Sequence, residues 1–192
     1  MPEKKVILCE GIHDAILFSI ILDIRNIRHK IVTHEELEET REAHPENNKI
    51  NDFLGRKGQT FKCLMKDENG YAKCVDSFIE LYKDKDERYL LFIILDSPAF
   101  SYLKSKTQDS LKRDILTKKS NNFYETKDKM NHRVFLIPDS LEKQCKEITG
   151  KNLDLQDRDG MKILLEEFVR LCKSRQVDWY IELEKIIMSQ AC

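Results

Sequence analysis

The sequence of 192 residues lacks several patterns that would assign it to a well-known class of protein. Its six cysteines form no C-x-x-C pair, and none stands at zinc-finger spacing from a histidine, so no structural zinc site is expected. No segment approaches the roughly 18 consecutive apolar residues that a membrane span needs. The N-terminal segment has no signal-peptide core. We therefore expect a cytoplasmic protein that does not enter a membrane.

Sequence motifs of two large enzyme classes are absent as well. The segment Gly55-Arg56-Lys57-Gly58 does not have the spacing of a Walker phosphate-binding loop, and there is no Gly-x-Ser-x-Gly elbow of a serine hydrolase. Charged residues make up 35% of the chain, yet its net charge is only −1. The whole chain is therefore not a polycation, and any contact with nucleic acid depends on a local basic patch.

Short apolar runs that alternate with helical patterns predict an α/β fold. Four strands are predicted at residues 5–9, 60–66, 89–95 and 133–137. Helices are predicted at residues 12–27, 71–84, 140–148, 160–173 and 177–189. Residues 99–119 are expected to be helical or partly disordered, and residues 120–131 to form a polar loop. The alternation favours a mostly parallel four-stranded sheet flanked by helices. We expect one α/β domain over residues 1–150, with a polar insertion at about 33–58, and a helical C-terminal tail over residues 151–192.

Three of the predicted strands end at an acidic residue, namely Glu10, Asp96 and Asp139. The carboxyl ends of parallel strands meet at one edge of a sheet, where open α/β proteins bind ligands. Three carboxylates so close would repel one another unless a divalent cation, Mg²⁺ or Mn²⁺, lay among them. Asp14 is either a further acid of this group or a first-turn acid that complements the helix dipole. Asp139 is either a ligand or part of the cap of the following helix.

The segment Glu10-Gly11-x-x-Asp14-Ala15, at the end of the first strand, resembles the first motif of the Toprim domain. Topoisomerases, bacterial-type primases and OLD-family nucleases share this domain. The family's later Asp-x-Asp motif matches Asp96-Ser97-Pro98, in which Pro98 replaces the second acid. The resemblance covers roughly residues 4–145. It implies a Toprim-like, Rossmann-like sheet in which the first strand lies beside the third (89–95) and the fourth lies beyond it.

The resemblance also implies a role for each acid. Glu10 would be the catalytic general acid or base, or a metal ligand, and Asp96 would bind Mg²⁺. Asp14 matches the family's helix-start acid, and Asp139 would supply the ligand that is missing at Pro98. Glu142 is a weaker candidate ligand. The implied chemistry is metal-assisted breaking or making of a phosphodiester bond, with a nuclease preferred over a topoisomerase or a primase.

A basic tract follows the third predicted strand, with nine lysines and arginines against four acids in residues 101–133. Basic residues bind phosphates with release of counterions, and aromatic residues nearby can stack on bases. The tract therefore predicts contact with DNA or RNA, although a lysine-rich helix can also be merely a solvated face. The candidate contacts are Lys104, Lys106, Lys112, Arg113, Lys118 and Lys119.

Three functions follow from these patterns. The first is an Mg²⁺-dependent enzyme that acts on nucleic-acid phosphodiesters. The second is a non-catalytic nucleic-acid-binding module with a decayed metal site, which Pro98 favours. The third is an unrelated Rossmann-like domain that binds a nucleotide or a phosphorylated small molecule. A homo-oligomer and a larger nucleic-acid-processing assembly are both compatible with the sequence.

Overall fold

The structure, a computed structural model, describes residues 4–33, 62–84, 88–153 and 156–188. The strands are β1 (Lys4–Cys9), β2 (His29–Val32), β3 (Cys63–Asp67), β4 (Tyr89–Asp96), β5 (Leu116–Lys118), β6 (Phe123–Thr126) and β7 (Arg133–Ile137). The helices are α1 (Ile12–Asp23), α2 (Tyr71–Asp84), α3 (Phe100–Leu111), α4 (Leu141–Thr149), α5 (Arg158–Ser174) and α6 (Asp178–Met188). A short 3-10 helix, Ser97–Ala99, joins β4 to α3. Apart from residue 33, the predicted polar insertion lies outside the described residues.

The described strands form one sheet in the order β2-β3-β1-β4-β7-β6-β5. The first five strands in this order are parallel, and β6 and β5 continue the sheet in antiparallel pairing. The predicted α/β class is confirmed, and the described sheet is mostly parallel as expected, but the expected number of four strands was wrong, because the described sheet has seven strands, two of them in antiparallel pairing. The additional strands β2, β5 and β6 have only three or four residues each, too few to give a hydrophobic period.

The central strands are buried on both sides of the sheet, as is typical of parallel strands covered by helices. Along β1, Val6 and Leu8 belong to one hydrophobic core, and Ile7 and Cys9 belong to the other. Helices α2 and α3 cover the first side, and α1, α4, α5 and α6 cover the second. The helices of the predicted C-terminal tail therefore share a core with the sheet.

Two buried cations hold the end of α6 at the amino end of the sheet. The Lys5 ammonium group donates a hydrogen bond to the carbonyl of Ile187 at 2.6 Å, and the Arg133 guanidinium donates to the carbonyl of Ile186. Both side chains are buried. Carbonyls at a helix C-terminus lack partners within the helix and carry the negative end of its dipole, so cations stabilise them.

Helix boundaries follow local backbone signals. Helix α1 ends at Asp23 rather than at residue 27 as predicted, because the chain turns through a left-handed conformation at Asn26. Helix α4 begins after Ser140, whose hydroxyl accepts a hydrogen bond from the Lys143 amide, and ends at Gly150, which has a φ of 77°. Within the residues that the structure describes, no helix has the length and apolar content needed to cross a membrane.

Candidate functional site

Glu10 and Asp96 lie side by side at the carboxyl edge of the sheet. Strands β1 and β4 are paired in parallel, with Cys9 opposite Ile94, so the residues that end them are neighbours. The Glu10 carboxylate accepts a hydrogen bond from the Asp96 amide at 2.6 Å. The predicted pairing of the first and third predicted strands is confirmed, and the fourth, β7, lies beyond β4 as expected.

Asp14 lies in the first turn of α1, and its buried side chain takes part in the cap of this helix. Its carboxylate accepts a hydrogen bond from the amide of Gly11, the residue that caps the helix, at 3.1 Å. The side chain is buried, and the charges of Glu10 and Asp96 act on it. The two roles considered for Asp14, an acid that starts a helix and a member of the acidic group, are therefore compatible.

Burial makes these carboxylates costly to ionise. It raises the pKa of Glu10 to about 7, against the opposing effect of the Asp96 amide and with support from the charges of Asp96 and Glu142. Burial likewise raises the pKa of Asp96 to about 7, with a further contribution from the Glu142 charge. The pKa of Asp14 is raised by burial and by the charges of Asp96 and Glu10. Within the described ranges, none of the three acids pairs with a lysine or arginine.

Glu142, in the first turn of α4, completes the group from a distant part of the chain. Its carboxylate lies 2.9 Å from the Nδ1 atom of His13, and this contact lowers the pKa of Glu142 to about 2. The amide of the preceding residue, Leu141, donates to the Asp96 carboxylate at 3.3 Å. The side chain of His13 is only 17% exposed.

Asp139 lies apart from the other acids. Its backbone is in the left-handed region with a φ of 58°, its carboxylate pairs with Lys143 at 2.9 Å, and its amide donates to the Ser97 hydroxyl at 3.0 Å. The side chain is 56% exposed. The Glu142 charge, by contrast, acts on both Glu10 and Asp96. The structure thus brings Glu142, rather than Asp139, to the acidic group.

Two further acids at this edge were not singled out from the sequence. Asp67 and Glu68 lie at the end of β3 and are buried, and Glu68 pairs with Lys66 at 2.8 Å. The Glu68 amide donates to the carbonyl of Cys9 at 3.1 Å, which places this turn over the end of β1. The burial of these two acids has no local sequence signal, because it depends on the neighbouring strand.

The acidic group fits a divalent cation in its chemistry, because hard carboxylate oxygens are the ligands that Mg²⁺ and Mn²⁺ prefer. In this arrangement each carboxylate faces a different amide: Glu10 that of Asp96, Asp96 that of Leu141, and Asp14 that of Gly11. Within the described part of the chain, no three His, Cys, Asp or Glu side chains converge on a point that could hold a metal ion. Binding would therefore require these side chains to turn from the amides toward one another.

The basic tract does not converge on the acidic edge. Lys104 and Lys106 lie near the start of α3, which follows β4 closely. Lys112 and Arg113 follow the far end of this helix. At about 1.5 Å per residue, this end lies about 18 Å from the first residue of the helix, Phe100. Lys118 and Lys119 lie on or beside β5, which is four strands from β1, or about 19 Å at about 4.8 Å per strand.

Several of these cations have partners of their own. Lys106 pairs with Asp76 at 3.7 Å, Lys119 pairs with Glu125 at 3.0 Å, and Lys104 lies 5.9 Å from the ring of Phe100. Exposed pairs of this kind are weak and exchange readily with other anions. The tract is thus a surface that extends from the acidic edge to the far end of α3, and not a single pocket.

Comparison with known proteins leaves the family unassigned. No protein-family model matches the chain, and no curated protein matches it. The geometry of the site and the motif resemblance are therefore the basis on which its function is inferred.

Proposed function

We propose that this protein is a Toprim-like enzyme that cleaves nucleic-acid phosphodiesters with the help of Mg²⁺ or Mn²⁺. The observation that carries the proposal is the pair Glu10 and Asp96, two largely buried carboxylates on adjacent parallel strands. Neither forms an ion pair with a lysine or arginine of the described residues. Buried charges without a counter-ion are unfavourable, so the pair is suited to a cationic ligand.

Glu10 and Asp96 would hold the cation, with Asp14 and Glu142 as further acids close to them. A divalent cation bound here would supply charge neutralisation for the phosphodiester. Glu10 has an alternative role, because without a bound cation its pKa of about 7 allows it to accept or donate a proton near neutral pH. Both roles agree with those that the motif resemblance implies.

The test is cleavage of single- and double-stranded DNA and RNA with Mn²⁺ or Mg²⁺ present. Glu10→Gln keeps the shape of the side chain but removes its charge and its proton transfer, so it should abolish cleavage and leave the fold intact. Asp139→Asn is the matched control, since Asp139 is exposed and pairs with Lys143. Cleavage that persists in Glu10→Gln, or that is abolished equally in Asp139→Asn, would contradict the assignment.

Metal binding is measured separately by calorimetric titration with Mn²⁺. Asp96→Asn should lose most of the binding, and a lower pH should weaken it, because the carboxylates must be deprotonated. Wild-type protein that binds no Mn²⁺ at millimolar concentration would rule out the metal-dependent mechanism.

A second function, a nucleic-acid-binding module with a decayed metal site, is favoured by Pro98. This residue is exposed in the 3-10 turn after β4, where the Toprim motif has its second acid. Pro98→Asp should strengthen Mn²⁺ binding if the site is a decayed form of that geometry. Because proline fixes φ near −65°, the melting temperature must be measured alongside to detect a loosened turn. Measurable cleavage by the wild type would exclude this second function.

A further inference from the structure

An exposed aromatic side chain begins α2, just after the turn that follows β3 at the carboxyl edge of the sheet. The described residues expose three large hydrophobic side chains, Ile24, Tyr71 and Ile163, and Tyr71 at 46% is the aromatic one. Ile24 follows α1 and Ile163 lies on α5, two helices that cover the opposite side of the sheet from α2. Among the described residues, Tyr71 is therefore the exposed large hydrophobic side chain on the α2 side of the sheet.

The turn before α2 fixes the position of Tyr71. The amide of Gly70 donates to the carbonyl of Glu10 at 2.6 Å, and Gly70 has a φ of 118° that L side chains rarely adopt. This hydrogen bond holds the first residue of α2 next to the backbone of the acid proposed for catalysis. Tyr71 is thus placed by the same turn that covers the end of β1.

A second tyrosine supports the ring of Tyr71. Tyr102 lies in the first turn of α3, six residues after Asp96, and the two rings meet edge to face with centroids 5.3 Å apart and planes at 82°. The Lys106 ammonium lies 5.4 Å from the centroid of the Tyr102 ring and pairs with Asp76. Edge-to-face packing is a preferred aromatic geometry, so it orients both rings while nearly half of Tyr71 stays open to solvent.

We propose that Tyr71, supported by Tyr102, is a stacking platform for an unpaired base of single-stranded nucleic acid. This inference rests on the proposed function and specifies its substrate class. The carboxylates repel phosphates, and base stacking is a contact that adds affinity without any charge. Bases inside a duplex are stacked on each other and do not reach a protein ring, so the platform selects single strands.

The experiment measures fluorescence anisotropy of labelled oligonucleotides of about 12 nucleotides, a length within the range of known single-strand sites. Oligo-thymidine DNA, oligo-uridine RNA and a duplex of equal length are titrated at low salt with a chelator present, so that cleavage does not interfere. Tyr71→Ala removes the ring, Tyr71→Phe keeps it, and Ile163→Ala removes an exposed apolar side chain on the other side of the sheet.

Tyr71→Ala should weaken single-strand binding about 5- to 150-fold, because stacking contributes about 1–3 kcal/mol per base. Tyr71→Phe and Ile163→Ala should bind like the wild type, and duplex binding should not change. The salt dependence should also be the same in Tyr71→Ala, because the substitution removes no cation that binds a phosphate.

Unchanged single-strand affinity in Tyr71→Ala, or an equal loss of affinity for the duplex, would overturn the platform and leave the proposed function standing. A loss in Tyr71→Phe as large as that in Tyr71→Ala would also overturn it, because the ring would then not be the cause. Wild-type protein without affinity for any oligonucleotide would also overturn the platform, whereas the proposed function is judged separately by the cleavage assay with Mn²⁺ or Mg²⁺.

Discussion

At the scale of single residues, the protonation of Asp96 links the acidic site to the stability of the fold. Burial raises the pKa of Asp96 to about 7, so between about pH 4 and pH 7 the folded protein holds a proton that the unfolded chain releases. The stability that this group contributes is present at acidic pH and is lost as the pH rises through about 7. At neutral pH and without a bound cation, the ionised Asp96 carboxylate therefore lowers the free energy of unfolding.

Asp96→Asn should accordingly stabilise the metal-free protein at pH 8 by about 1–3 kcal/mol, a value discounted for the partial exposure of the group at 1.36 kcal/mol per pKa unit. The gain should shrink toward pH 5. Urea unfolding at both pH values in the presence of a chelator measures it. Asp139→Asn, at an exposed position, should show no such pH dependence. A variant Asp96→Asn less stable than the wild type at pH 8 would contradict the argument.

His13 controls the ionisation of a neighbouring acid. Its Nδ1 atom lies 2.9 Å from Glu142, and this contact is the main cause that lowers the pKa of Glu142 to about 2. His13→Ala should therefore raise the pKa of Glu142 toward its ordinary value, as measured by carboxyl carbon NMR. His13→Asn retains a donor near the position of Nδ1 and should restore part of the shift. A pKa of Glu142 that is unaltered in His13→Ala would assign the shift to the helix and its cap.

Sequence reasoning reached Glu10, Asp14 and Asp96 because each lies where a strand ends or a helix begins, and such ends leave a local pattern. It ranked Asp139 above Glu142, whereas the structure groups Glu142 with the other acids. That difference depends on the left-handed backbone of Asp139 and on the contact between His13 and Glu142, which are 129 residues apart. Neither feature has a local sequence signal.

At the scale of secondary-structure elements, α6 depends on cations from the amino end of the sheet. Lys5→Met keeps the apolar stem but leaves the carbonyl of Ile187 without its buried donor. We expect a loss of about 1–3 kcal/mol in the free energy of unfolding, the range for a charged hydrogen bond in the interior. Lys30→Met, at an exposed position of β2, should cost less than about 0.5 kcal/mol. Equal effects of the two substitutions would argue against the anchoring of α6.

The elements that sequence patterns predicted well are long or strongly periodic. Helix α2 has the predicted bounds, with one face of buried residues at helical spacing, and β4 is a continuous run of buried residues. Strands β5 and β6 were missed, since residues 99–119 were expected to be helical or partly disordered and residues 120–131 to form a loop. They exist because β6 pairs with β7 and β5 with β6, so their stability comes from neighbours rather than from their own three or four residues.

At the scale of the whole molecule, the basic tract contains cations near the acidic edge and cations at the far end of α3, and the two groups should contribute differently to binding. Replacing Lys104 and Lys106 by alanine, near the acidic edge, should flatten the salt dependence of nucleic-acid binding by about 0.7–0.9 for each phosphate that is no longer neutralised. Replacing Lys112 and Arg113, at the far end of α3, should change the slope less for short oligonucleotides. Binding constants at several salt concentrations measure both slopes. A larger effect of the distal pair would place the nucleic acid along α3 and away from the acids.

The α/β class and the adjacency of the first, third and fourth predicted strands could be predicted from the sequence and the motif resemblance. The number of strands in the sheet, and the packing of α5 and α6 against one of its sides, could not be predicted. The amphipathic pattern of α5 shows that Leu164, Leu165 and Phe168 are buried, but not that they join the core around α1. A hydrophobic period identifies the buried face of a helix and not its partner.

The far edge of the sheet constrains how copies of this protein can associate. Strand β5 is the last strand of the described sheet, has only three residues, and exposes Thr117 and Lys118. Short edge strands with lysine resist the addition of a further strand, because a new neighbour would have to desolvate the ammonium group. Fibre-like growth by pairing of one copy's edge strand with another's is therefore disfavoured on this side of the sheet.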